Sequence, residues 1–274
     1  MNRINALSLQ RTSRVVLWVY SIAVLAFLTG PILVIVPLSF SSGSFFYYPL
    51  PGFSLRWYED FFTSGNWLPP LKNSLLVGIG ATVLATLLGS LAAFGFWRTQ
   101  FRGRAFVFAL LLSPMVVPVI IVAVGVYFAF ARVGLANSLV GLTLAHAALG
   151  TPFVLVSVSA ALTGFDVNLL RAAANLGASP LRAFFRVALP NLAPGIFSGA
   201  LFAFAISFDE VVIAMLLTGP DQRTLPRQMF SGINDNISLT ITAAATLLIC
   251  LAVLLLLALE WLRRRSARLR GLTP

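Results

Sequence analysis

The sequence predicts an all-α membrane protein of six transmembrane helices with both termini cytoplasmic. Three observations carry this expectation. Of the 274 residues, 59% are hydrophobic and 10% charged, against about 25% charged in a soluble domain, so the chain cannot cover a water-facing surface. Six long apolar runs each reach the roughly 20 residues that a bilayer crossing requires. With six crossings, fourteen arginines fall on one side and five Arg or Lys residues on the other, which makes the arginine-rich side cytoplasmic. The net charge of +11 is explained by those loops and requires no nucleic acid as partner. Membrane lipid is the expected surrounding, and the whole of 1–274 is read as one transmembrane domain.

Met1–Arg14 is a short polar arm carrying Arg3, Arg11 and Arg14. The first span follows at about 15–40, longer than the roughly 7–15 residue apolar core of a signal peptide, and so is expected to be retained. Pro31 and Pro37 bend or end its outer half. Residues 41–71 are rich in Phe, Tyr and Trp. Such rings favour the membrane interface, although a binding role for them is a second reading. A short interfacial helix is expected around Leu55–Phe62. The second span covers about 73–97, with glycines that permit close helix packing. A basic turn of Arg98, Arg102 and Arg104 precedes the third, about 105–131, which Pro114 and Pro118 interrupt. The fourth is placed at about 138–162 and contains Pro152, read as a kink, and His146. The fifth lies at about 193–217, with Gly195 and Gly199 at GxxxG spacing. After the polar loop Gly219–Asn236, the sixth lies at about 237–260, and a basic tail follows.

Several activities are excluded by single residues. The one cysteine, Cys250, lies in an apolar run, so there is no disulfide framework. The one histidine excludes a multi-histidine metal site. The one lysine, Lys72, precedes Asn73 and not Ser or Thr, so no P-loop is present. No catalytic residues, metal ligands or cofactor site are expected in this chain.

The stretch 166–190, DVNLLRAAANLGASPLRAFFRVALP, is too polar to span a bilayer. Asp166 can cap a first short helix. Gly177 can end it, because glycine takes the left-handed cap conformation without a Cβ clash. Ser179 and Pro180 can start a second, as N-cap and first helical residue. Two short helices joined by a tight corner are therefore expected. They suit either docking to another protein or lying on lipid headgroups. Arg182 and Arg186 share one face.

The spacing of this stretch resembles the EAA loop of permease subunits of ATP-binding-cassette type I importers. Arg171-Ala172-Ala173 is followed by three residues and Gly177, then nine residues to Val187, then Leu189-Pro190. The family carries Glu where Arg171 stands, so the contact of that Glu is absent or reversed in sign here. The resemblance implies a permease domain whose 166–190 loop couples to a separate ATPase. Its coupling residues would be Arg171, Ala172, Ala173, Gly177, Ser179, Pro180, Arg182, Leu189 and Pro190. It also implies that ATP and Mg are used by that ATPase, and that a second, different permease chain and a periplasmic or extracellular solute-binding protein complete the machine. Ser207-Phe208-Asp209-Glu210-Val211-Val212-Ile213, Leu217-Thr218-Gly219-Pro220 and Thr224-Leu225-Pro226 further resemble the spermidine and putrescine permease subfamily. A polyamine is thus the implied solute. An amino acid or a metal chelate is the alternative.

Asp209 and Glu210 are the only carboxylates deep in an apolar run. A charge at the bilayer centre costs about 2.5–3.5 kcal/mol on insertion scales, so such groups face a bundle interior or a polar path. They either line a path for a cation, cap or hydrogen-bond a broken helix, or pair with an arginine. A gradient-driven secondary transporter using Asp209, Glu210 or His146 is the competing function. An intramembrane enzyme has no residue pattern in its favour.

Overall fold

The computed structural model describes residues 3–235 and 238–269. Ile237 and Arg270 lie outside them, as do the side chains of Arg3, Arg11, Arg263, Arg265 and Arg268. The described residues are helical apart from loops and one isolated bridge between Ser41 and Phe53. Five helices are long and apolar enough to cross a membrane, or six if one bent pair counts as a single span.

The chain divides into two compact units, 1–63 with 236–248 and 64–235 with 249–274. In the first, α1 (Arg3–Leu38) is one helix that starts inside the N-terminal arm and carries Pro31 and Pro37. Its residues from Val15 to Phe27 are exposed and, apart from Ser21, apolar, as a lipid-facing helix requires. The following loop folds onto the helix end. Trp57 Nε1 donates to Ser41 O (2.8 Å), Tyr48 Oη to Val34 O (2.7 Å), and Ser39 Oγ lies 2.7 Å from Tyr58 Oη. Short α2 (Arg56–Thr63) buries Phe61, and Thr240 Oγ1 donates to Asp60 Oδ2 at 2.6 Å. Part of the aromatic segment thus has a structural role.

The second unit is built on α3 (Leu68–Arg98), α6 (Leu139–Thr163) and α9 (Leu189–Asp209), which pack pairwise. Lipid tails are as apolar as side chains, so this packing depends on close fit more than on hydrophobic burial. Small residues supply it. A Cβ on Gly89 of α3 would meet Val154 Cβ at 2.7 Å, and one on Gly199 of α9 would meet Val154 Cα at 2.8 Å. Gly150 of α6 faces both Ala85 and Ala203, with a Cβ there 3.2 and 3.0 Å away. Gly195 and Gly199 both face α6, so their spacing is a packing surface. Ser138 caps α6 by accepting from Gly141 N at 2.9 Å, and Pro152 lies inside that one continuous helix.

Two of the apolar runs are broken more deeply than a straight span allows. The 105–131 run forms α4 (Arg104–Val116) and α5 (Val119–Arg132), bent by 106° at residues 117–118. Pro118 lacks an N–H, and the residue before a proline is disfavoured in the helical region. Val117 is accordingly extended, at φ −72° and ψ 132°. The run near 193–217 stops at Asp209 and resumes as α10 (Val212–Leu217). The stretch after it, read as a polar loop, contains a 3₁₀ turn at Pro220–Gln222 and α11 (Leu225–Asp235). Ser74 Oγ accepts from Leu225 N (2.8 Å) and Asn73 Nδ2 donates to Arg223 O (3.0 Å), tying α11 to α3. The last helix, α12, spans Thr240–Leu269.

Candidate functional site

The 166–190 stretch forms a helix, a corner and the start of a much longer helix. α7 (Asn168–Asn175) begins where Asp166 Oδ1 accepts from Asn168 N at 2.9 Å. It ends on Gly177, whose φ is +80°. There Gly177 N donates to Ala174 O (2.9 Å) and Ala178 N to Ala173 O (3.0 Å), which satisfies the last carbonyls of α7. No atom lies within 4 Å of where a Cβ on Gly177 would stand, so backbone conformation and not space demands the glycine. Ser179 Oγ then accepts from Arg182 N at 3.4 Å, with Pro180 at the first position of α8 (Pro180–Ala183).

The second helix is not short. α8 passes through a π turn at Phe184–Ala188 into α9, giving one helix from Pro180 to Asp209. Leu189 N donates to Phe184 O, five residues back. The wide turn sits directly before Pro190, which has no N–H and whose ring crowds the carbonyl four residues earlier.

The side chains at the corner face outward. Arg171, Ala172, Gly177, Ser179, Pro180, Arg182 and Pro190 are exposed, and Ala173 and Leu189 are half-buried. Arg171 Nη1 donates to Asn168 Oδ1 at 3.2 Å, so its charge has a neutral partner on its own helix. Two apolar residues flank the corner that the motif spacing did not single out, Leu176 (89% exposed) and Leu181 (69%). An apolar side chain on either side of a left-handed glycine in a polar stretch is the signal that points to them.

The two carboxylates occupy the break between α9 and α10. Glu210 is extended, at φ −74° and ψ 117°, and its Oε1 accepts from Ile213 N at 2.9 Å, capping α10. Asp209 is exposed and makes no hydrogen bond or ion pair among the described residues. Both line a small open cavity of about 330 Å³ with Ala205 and Ile206. The structure therefore separates the pair, with Glu210 engaged by the backbone and Asp209 open. His146 is buried, and its Nδ1 lies 2.9 Å from Ser207 Oγ. That bond joins α6 to α9 two residues before Asp209, while His146 Nε2 is buried and makes no hydrogen bond among the described residues. The corner and the break lie at opposite ends of the one helix and do not form a single site. Among the described residues, no cluster of three or more His, Cys, Asp or Glu could hold a metal ion.

Outside the spans, Arg227 Nη1 donates to Thr218 O (2.5 Å), to Thr218 Oγ1 and to Gly219 O (3.0 Å). Burial, and then the neighbouring Arg223 charge, lower its pKa from the ordinary arginine value. This clamp holds the chain after α10.

The structure is thus a polytopic helical protein with a helix–corner–helix between spans and an interrupted span after it. Residues 85–268 match the family described as the binding-protein-dependent transport system inner membrane component, and the chain belongs to that family. It is 32% identical over 249 residues to the spermidine/putrescine transport system permease protein PotC of Shigella flexneri, covering 91% of this chain and 94% of that protein. It is 33% identical over 230 residues to the putrescine transport system permease protein PotI of Escherichia coli (strain K12), covering 81% and 82%. Its fold is similar to a chain of a bacterial alginate ATP-binding-cassette transporter crystallised with an alginate pentasaccharide-bound periplasmic protein. There the TM-score is 0.71 at 17% identity, over 97% of this chain and 98% of that one. The protein is thus a multi-pass inner-membrane permease subunit that forms the translocation path of an ATP-binding-cassette importer, and it is not itself an enzyme.

Proposed function

We propose that this permease imports a polyamine, putrescine or spermidine, and that a separate ATPase drives it through the 166–190 loop. The observation that carries the coupling reading is the single helix from Pro180 to Asp209. At about 1.5 Å per residue its 30 residues are about 45 Å long. A displacement imposed on the corner at Gly177 is delivered to the helix end where Asp209 and Glu210 sit. In this reading Leu176 and the small Ala172 and Ala173 allow close approach of the ATPase. ATP and Mg are bound by that partner. Closure of an ATPase pair moves the corners of two permease chains and switches the path between inward-open and outward-open. A second, different permease chain and a solute-binding protein complete the machine, and both termini lie with the loop on the cytoplasmic side.

Support for the polyamine comes from the two relatives and from Asp209. A polyamine is a chain of ammonium groups that lose hydration in the path. An exposed, unpaired carboxylate at a helix break offsets that loss, whereas Glu210 is already committed to Ile213 N. An amino acid or a metal chelate is the competing solute class. The test is the ATPase activity of the assembled complex, screened with putrescine, spermidine, amino acids and metal chelates. Stimulation by a polyamine and by no other class is the expected result. Stimulation by an amino acid or chelate alone would reassign the solute and leave the coupling reading intact.

A further inference from the structure

We propose that a cavity beneath the corner loop holds one acyl chain of an anionic phospholipid, with its phosphate on Arg98. The cavity has a volume of about 750 Å³, within the roughly 300–1,000 Å³ of small-molecule sites. Its walls come from the last turn of α3, the end of α6 and the 166–190 loop. They are aromatic and apolar, and edge-on ring pairs build them. Phe94 packs on Phe184 with centroids 5.1 Å apart, and Trp97 on Phe165 at 6.1 Å.

Charge selects the occupant. Arg98 is the one charged residue among the described residues that lines the cavity. It is exposed and makes no hydrogen bond or ion pair among the described residues. Arg102 follows in the adjoining turn, and Arg104 is held by Gln100 Oε1 at 2.8 Å. Among the described residues, no carboxylate lines the walls. The nearest in sequence, Asp166, accepts from Asn168 N. An apolar slot with an unpaired guanidinium at its edge, at the end of membrane helices, matches a lipid with an anionic headgroup and a hydrocarbon tail. Basic pockets between transmembrane helices bind such headgroups, and each cation near an anionic membrane surface adds about 1 kcal/mol. The lipid would fill the space between α3 and the loop. Its binding is read without reference to any ATPase, so it stands or falls apart from the coupling reading.

The experiment uses the full-length chain in neutral detergent. It is titrated with phosphatidylglycerol or phosphatidylcholine brominated along the acyl chain, and tryptophan fluorescence is followed. Trp97 is one of five tryptophans, so Trp97→Phe isolates the signal from the cavity. The expected result is quenching of the Trp97 component by phosphatidylglycerol at about fivefold lower concentration than by phosphatidylcholine. Arg98→Gln removes that preference and Arg98→Lys retains it. Arg98 is exposed, so neither change disturbs packing, and Arg132→Gln, distant in sequence from the cavity, leaves the preference in place. Equal half-saturation for the two lipids would overturn the proposal, because any hydrocarbon would then suffice. So would quenching that is unchanged in Trp97→Phe, or a preference that survives Arg98→Gln.

Discussion

At Gly177 a single backbone angle decides the shape of the loop. Its φ of +80° costs an L-residue with a Cβ about 1–2 kcal/mol, although no neighbour obstructs a side chain there. Gly177→Ala should therefore lower the stability of the corner by about that amount, read as faster proteolysis or amide exchange at 172–182, with insertion unchanged. Gly177→Arg adds bulk on the exposed side, and uptake and ATPase association should both be lost while the protein still inserts. Normal uptake by Gly177→Arg would end the docking reading. Asp209 and Glu210 separate in the same way. Asp209→Asn should weaken cation import with ATPase association intact. Glu210→Gln keeps an oxygen for Ile213 N and should act mainly through charge. Glu210→Ala loses the cap, worth about 0.5–2 kcal/mol, and should lower thermal stability. Unchanged import in both Asp209→Asn and Glu210→Gln would make the two carboxylates structural.

Among the elements, the α3–α6–α9 contact is the most constrained. Gly89 and Gly199 approach Val154 so closely that a Cβ would fall at 2.7–2.9 Å from it. Gly89→Leu should force the helices apart and cost about 1–3 kcal/mol or more, measured as a drop in the aggregation temperature of the purified chain. Exposed Leu87 and Leu88 on the same helix tolerate Leu→Ala with little loss. The contrast tests whether close approach, and not total apolar area, holds this bundle. Sequence made these elements legible to different degrees. Ser138 marks the start of α6, Arg56–Thr63 forms the short helix expected around Leu55–Phe62, and Gly177, Ser179 and Pro180 mark the corner because each acts through its own local geometry. The breaks were less legible. Pro114 and Pro118 announce an interruption, but not its 106° angle, beyond which α5 packs against α10. The break at Glu210 carries no proline or glycine, and its carboxylates left a cation path and the cap of a broken helix as open alternatives. The continuity of α8 with α9 was hidden because Ser179-Pro180 reads as the start of a short helix, while the π turn before Pro190 lets it continue.

For the whole molecule, the central claim is a division of labour. This chain supplies the path, and the work arrives from elsewhere. Its own residues agree with that. The P-loop lysine is missing, His146 is buried on Ser207, and Glu210 is engaged by backbone. What remains for a proton or sodium relay is Asp209, with no second titratable group bonded to it among the described residues. Arg171 departs from the family's Glu and bonds Asn168 on its own helix. A partner ATPase is therefore expected to present a carboxylate or a neutral acceptor there. Arg171→Glu should weaken association with this chain's own ATPase by about five- to tenfold if a carboxylate faces it, by pull-down at low salt, and less at high salt. The measurement that bears most directly on the division of labour is solute uptake into proteoliposomes, comparing the complete importer with this chain alone. The account predicts putrescine or spermidine uptake that requires ATP, the ATPase and the solute-binding protein, and no uptake by the chain alone under a proton or sodium gradient. Gradient-driven uptake by the chain alone would contradict it.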